Sequence, residues 1–214
     1  MEKKKKLIKI KDMPKLESPF VRVGKNHTVT PKINPGYEWV FEDESVIAQE
    51  KLDGTNVSII IKNSKIIRVF NRLNEVELDI WSRNSIIESV KNSYHKGYCN
   101  LPDGQHFGET VGIGINGNPY ELDTQLWLPF NTYCANYLTY KSWGKYPKDF
   151  DTISSWFQND LLPLFYMKRH YGNREGFVEG VVFHHPDGRM AKLRVDMFDW
   201  FQGEKHKGKN HEQA

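Results

Sequence analysis

Residues 49–58 read QEKLDGTNVS, which sets Lys51 two positions before an Asp-Gly turn and just ahead of an apolar run, Val57 with Ile59, Ile60 and Ile61. A lysine amine attacks an electrophile only when neutral. A nucleophilic Lys51 therefore needs its pKa brought down from about 10.4, by burial or by a neighbouring cation. The mouth of a buried strand could supply the first. If the electrophile is the α-phosphate of a nucleotide, three further functions are needed: cations against the phosphate, carboxylates for a divalent metal, and an aromatic ring against the base. The chain carries candidates in order: Glu109 in HFGE, Phe130 in LPFN, Glu179 in EGVVF, and Lys192 and Arg194 in AKLR. Lys192 and Arg194 are two apart, so on a strand they share a face. Taken alone, K-x-D-G is weak evidence. Average composition yields it by chance in roughly one chain in twenty of this size, and a solvated lysine beside a turn is the plain alternative.

Positioning such a set calls for strands, and the pattern supplies them. VIAQE, NVSIIIK and KIIRVF read as strands from Val46 to Arg68, with Asn63-Ser64 as a hairpin turn. Ile86, Ile87, Val90 and Tyr94 recur at helical spacing, with Gly97 as a C-terminal cap. Pro102-Asp103-Gly104 is a turn, GIGINGNP (112–119) a loop, and WLPFN (127–131) a short strand. A helix is expected from about Thr152 to Leu162, ending near Pro163. EGFVEGVVFHH and RMAKLRV form a second hairpin about Pro186-Asp187-Gly188. Strands joined mostly by short turns, with a few helices between, indicate an α+β fold with largely antiparallel sheets flanked by helices.

The bulk numbers narrow the class. A chain of 214 residues with 27% charged and 13% aromatic residues can bury a core and is not of disordered composition. No segment approaches the ~18 apolar residues of a membrane span. Cys99 and Cys134 make neither a disulfide framework nor a CxxC metal motif, which points to a reducing, cytoplasmic setting. The net charge of +3 is modest, but lysines cluster at 3–6, 9 and 11, and again at 205, 207 and 209. Such clusters suit phosphate backbones, and equally suit solvated, frayed ends.

The ordered series KLDGTN, FGE, EGVVF and KLR resembles motifs I, III, IV and V of the covalent nucleotidyltransferases, which include ATP-dependent DNA ligases, RNA ligases and mRNA capping enzymes. It spans about Gln49 to Arg194. With Asn56 in the first motif, the chain looks most like the RNA ligases of the phage T4 RNA ligase 2 branch. The resemblance implies a nucleotidyltransferase (ATP-grasp-like ligase) domain with the nucleotide site between its sheets. It makes Lys51 the nucleophile of a lysine–AMP phosphoramidate and Arg72, in VFNRLNE, an adenylate contact. Asn56 acts when the RNA 3′-OH attacks. Glu109 binds the ribose hydroxyls, and Phe130 stacks on adenine with Trp127 as a substitute. Glu179 binds the metal or the lysine. Lys192 and Arg194 hold the α-phosphate, although many relatives carry lysine where Arg194 stands. Glu50 joins this nucleotide-binding set.

The resemblance further implies an ATP-dependent RNA ligase using Mg²⁺ or Mn²⁺, a monomer that joins 3′-OH and 5′-phosphate RNA ends, as in phage-like RNA repair, without a membrane partner. DNA ends and hybrid nicks are alternative substrates. The expected organisation is a single domain over 1–214, with a core at about 30–201, basic tails and no OB-fold domain. Three other readings stand beside it: a GTP-dependent capping-type guanylyltransferase, a DNA ligase-like enzyme, and a non-catalytic nucleic-acid-binding module. The formal GxGxxG at Gly112, Gly114 and Gly117 precedes Asn118-Pro119 rather than a helix, so a loop beside the nucleotide pocket is favoured over a dinucleotide site. His184-His185 lacks a third ligand at zinc spacing and reads as polar strand end. Phe198, Trp200 and Phe201 in MFDWF read as core packing in preference to base stacking.

Overall fold

The computed structural model describes residues 9–79, 81 and 83–203. The lysines at 3–6, 205, 207 and 209 lie outside the described residues. In chain order the strands are β1 (Phe20–Val23), β2 (Thr28–Ile33), β3 (Ile47–Lys51), β4 (Thr55–Lys62), β5 (Lys65–Asn71), β6 (Asn74–Val76), β7 (Gly104–Val111), β8 (Leu126–Pro129), β9 (Gly180–His184) and β10 (Met190–Arg194). The helices are α1 (Trp39–Glu42), α2 (Ser85–His95), α3 (Ala135–Tyr137), α4 (Phe150–Ser155) and α5 (Leu164–Arg169). Every strand pair is antiparallel, in sheets ordered β1-β2, β10-β9-β3 and β6-β5-β4-β7-β8. This is the α+β, largely antiparallel class expected from the sequence. The chain forms two compact units. The first holds the described residues up to Lys15 with Leu52–Thr139 and Pro163–Phe177. The second holds Leu16–Lys51, Tyr140–Leu162 and the described residues from Val178 on.

The first unit is built on the five-stranded sheet. Alternation along β4 sends Val57, Ile59 and Ile61 to one face, where they pack with Val69, Trp127 and the Ile87 and Val90 of α2. Asn84 caps α2 by accepting from the Ile86 N–H at 2.9 Å. Gly97, with φ +76°, closes its far end. The other face carries Val111, Leu126 and Leu128 against Tyr120, Leu138 and Phe165. Trp127 is fully buried and donates its indole N–H to the Val57 carbonyl at 3.0 Å. That indole explains the glycine of FGE: a Cβ on Gly108 would stand 2.7 Å from it. Trp127→Ala should cost about 3–5 kcal/mol of stability, read from equilibrium denaturant unfolding. Trp127 has no open face for a base, so the substitute stacking role is withdrawn.

The second unit rests on β10-β9-β3. Ala48, Val181, Phe183, Ala191 and Leu193 are fully buried on one face of it. The Asp149 carboxylate caps α4 by accepting from the Thr152 N–H at 2.9 Å, and a π-helical turn, Trp156–Asp160, continues the helix. The helix expected from Thr152 therefore begins two residues earlier. MFDWF packs as expected: Phe198 is buried against Phe157, and the Trp200 indole donates to Ser154 at 2.8 Å. His185 lies between Asp43 and Asp187, 2.8 Å from each. The hydrogen bond to Asp43 chiefly raises its pKa above 6.5. A raised histidine pKa contributes stability that is complete below about pH 6.5 and is lost as pH rises through the folded-state value. His185→Gln should therefore flatten the fall of Tm on the alkaline side of pH 6.5 in calorimetric scans.

Candidate active site

The register of the three-stranded sheet groups the basic candidates of the second unit. Lys51 opposes Gly180, which opposes Arg194 on its other side; Gln49, Val182 and Lys192 form the next such row on the same face. Lys51, Lys192 and Arg194 thus share one face of the sheet. The glycine between Lys51 and Arg194 is required, because a Cβ there would meet the Leu193 carbonyl oxygen at 2.2 Å. The Lys51 Nζ donates to the Glu179 Oε2 at 2.6 Å. Glu179, with its side chain 6% exposed, directly precedes β9 and accepts the Val195 N–H through its backbone carbonyl. Lys192 is pinned by its backbone N–H to the Glu17 carbonyl. Burial first, then the nearby Lys51 and Arg194 cations, hold its ammonium below the usual lysine range. Arg194 Nε lies 3.0 Å from the buried Asp196 carboxylate, a partner the sequence did not single out. Glu50 belongs to the opposite face, with Val181 and Leu193, and its side chain is 3% exposed. Any nucleotide contact on the Lys51 face would come from its backbone.

The first unit gathers the other candidates. Asn56 and Glu109 are direct cross-strand partners, with Leu128 next in the row. Asn56 Oδ1 is buried and has no hydrogen-bond partner among the described residues. Such an orphaned acceptor is open to a donor beyond the described residues. Arg72 occupies the β5–β6 hairpin turn with φ +55° and pairs with Asp12 at 2.9 Å, its side chain 44% exposed. Phe130 begins a π-helical turn directly after β8, so the strand expected over 127–131 stops at Pro129. Two residues missed by sequence reasoning hold the turn that comes after the lysine. Asn116 donates to the Asp53 carboxylate and to the Gly54 carbonyl, both at 2.7 Å. The Tyr120 hydroxyl accepts the Asp53 N–H at 2.7 Å. The GIGINGNP segment is thus a chain of turns fixed on Ile115, 4% exposed, with no helix after it, which removes the dinucleotide reading.

The family model for RNA ligase matches residues 44–201. The chain belongs to the RNA ligase family. Comparison with curated proteins gives no match. Among solved structures, a variant of Naegleria gruberi RNA ligase with ATP and Mn is similar with a TM-score of 0.50 and 14% identity, over 84% of this chain and 59% of that one. The same ligase with PPi is similar at a TM-score of 0.46 and 16% identity, over 91% of this chain and 60% of that one. The chain therefore spans about 60% of the length of these ligases. At such identities the likeness concerns the fold. Among the described residues no three His, Cys, Asp or Glu side chains gather to hold a metal, and no helix is long and apolar enough to cross a membrane.

Proposed function

We propose that the chain is an ATP-dependent ligase of RNA ends that acts through a covalent Lys51–AMP intermediate. The observation that carries this reading is the Lys51–Glu179 pair at 2.6 Å on a sheet face shared with Lys192 and Arg194. Lys51 gives up a proton, and its Nζ attacks the α-phosphorus of ATP. The N–P bond forms as the bond to pyrophosphate breaks. A 5′-phosphate then displaces Lys51 to give a 5′-5′ adenylated end, and a 3′-OH displaces AMP to seal the strands. Lys192 and Arg194 offset the α-phosphate charge, Glu109 takes the ribose hydroxyls, Phe130 the base, and Arg72 the adenylate once its Asp12 contact opens. Asn56, with its orphaned acceptor, suits a role at the incoming 3′-OH.

A divalent ion, Mg²⁺ or Mn²⁺, would neutralise phosphate charge and orient Lys51 through its water. The donor set fits that ion, since Mg²⁺ is commonly held by one or two carboxylates with the substrate's phosphates, and Glu179 is the carboxylate at hand. The test is label transfer from α-labelled ATP or GTP to the protein on a denaturing gel, and then joining of a 5′-phosphorylated RNA. A covalent band from ATP and a sealed product are expected. A band from GTP alone would turn the reading to capping chemistry. No band with either nucleotide would leave a binding module.

A further inference from the structure

Within the first unit, a cavity of about 180 Å³ is lined by Lys96, Glu121, Asp123, Thr124, Arg169 and His170, with Leu122 and Leu126 beneath. This is over ten times the roughly 10–15 Å³ that admits one water, so a phosphate group fits with its surroundings. None of these residues figures in the proposed adenylation chemistry. Arg169 is the unusual member. Among the described residues its buried Nε has no hydrogen-bond partner and no carboxylate pairs with it. Within the same set its Nη2 reaches only the Tyr133 and Tyr98 hydroxyls, at 3.3 and 3.5 Å, while its guanidinium lies 5.3 Å from the Phe165 ring centroid. Burial raises the Tyr133 pKa, so that hydroxyl stays neutral and does not compensate the cation. A half-buried guanidinium with no anion is costly unless a ligand brings one.

The surroundings have the mixture that suits a polynucleotide strand. Tyr171, next to His170, is fully exposed at the tip of the turn after α5. Tyr137 is 54% exposed, with the Lys168 ammonium 5.2 Å from its ring centroid. Exposed rings beside cations are the usual equipment for stacking bases while phosphates are held. The two acids of the lining need an account. Glu121 accepts the Tyr166 hydroxyl at 2.7 Å and is thereby engaged. Asp123 is exposed at the rim. A lone carboxylate there repels a bare phosphate but accepts a hydrogen bond from a ribose hydroxyl.

Building on the ligase reading, we propose that this cavity binds one ribonucleotide of the RNA strand. Arg169 and Lys96 hold its phosphate, Asp123 accepts from its 2′-hydroxyl, and Tyr171 stacks on a neighbouring base. The 2′-hydroxyl contact makes the site a reader of RNA against DNA.

The test is fluorescence-anisotropy titration of the full chain with a short single-stranded RNA and the DNA of the same sequence, over a range of salt. The variants are Lys96→Ala, Arg169→Ala, Asp123→Ala and Tyr171→Ala, with transfer of label from ATP measured alongside without RNA. Lys96→Ala and Arg169→Ala should each weaken RNA binding and reduce the slope of log affinity against log salt by about 0.7. Tyr171→Ala should weaken both strands about ten-fold. Asp123→Ala should bring RNA affinity down to that of DNA. Label transfer should be unchanged throughout. Arg169 packs among rings and its loss could unfold the unit, whereas Lys96 and Tyr171 are exposed and carry the test without it. Unchanged RNA affinity and salt slope in Lys96→Ala and Tyr171→Ala would overturn the proposal. So would a loss of label transfer equal to the loss of RNA binding. Absence of label transfer in every form, wild type included, would strike the ligase reading and leave the strand-binding result to stand by itself.

Discussion

Lys51→Ala is expected to abolish covalent labelling by ATP completely, because in the proposed mechanism the amine forms the bond and no other group replaces it. Stability should respond as well. The Glu179 side chain is 6% exposed, and removing Lys51 leaves its carboxylate without the ammonium at 2.6 Å. Breaking a buried pair on one side costs about 3–5 kcal/mol. Here Lys51 is itself 22% exposed and the Lys192 cation is near, so the loss should fall below that range. The double variant Lys51→Ala/Glu179→Gln removes the stranded charge and should recover most of the lost Tm while remaining unlabelled. Recovery of Tm with persistent inactivity separates the chemistry of Lys51 from its structural pairing. A labelled Lys51→Ala protein would remove Lys51 as the nucleophile.

The parts of the molecule legible in the sequence are those where one periodicity or one turn dominates. The β4–β5 hairpin follows from the apolar run of Ile59, Ile60 and Ile61 with Asn63-Ser64, both at positive φ, and α2 from the spacing of Ile87 and Val90 with Gly97 behind it. β1 and β2 escaped because β2 carries Pro31 and alternates few apolar residues, so its pattern lies below what period-2 reading detects. α5 has only six residues, too few for a helical repeat to register. At the candidate site, the shared face of Lys192 and Arg194 followed from a spacing of two, and β10 bears it out. The pairing of Lys51 with Glu179 came only as an implication of the family pattern, since the two stand 128 residues apart. Asn116 was illegible for a related reason. Asn116 grips Asp53 across 63 residues, and its place among glycines read as mere turn chemistry. Long-range hydrogen bonds leave no periodic trace, so nothing in composition or spacing distinguishes such a residue from its neighbours.

Glu179→Gln carries the second large effect. The carboxylate at 2.6 Å fixes the direction of the Lys51 side chain and supplies the anion beside a face that otherwise presents Lys51, Lys192 and Arg194. Glutamine keeps the volume and can hold the amine in place weakly, but it loses the charge. Loss of a preorganised electrostatic contact of this kind costs on the order of 10²–10³ in rate. Labelling should therefore slow by about two orders of magnitude, read in single-turnover labelling with saturating ATP, which separates the bond-forming step from nucleotide binding. An unslowed rate would reduce the 2.6 Å pair to a structural tie, and the nucleophile's orientation would have to come from the turn that Asn116 and Tyr120 hold at Asp53.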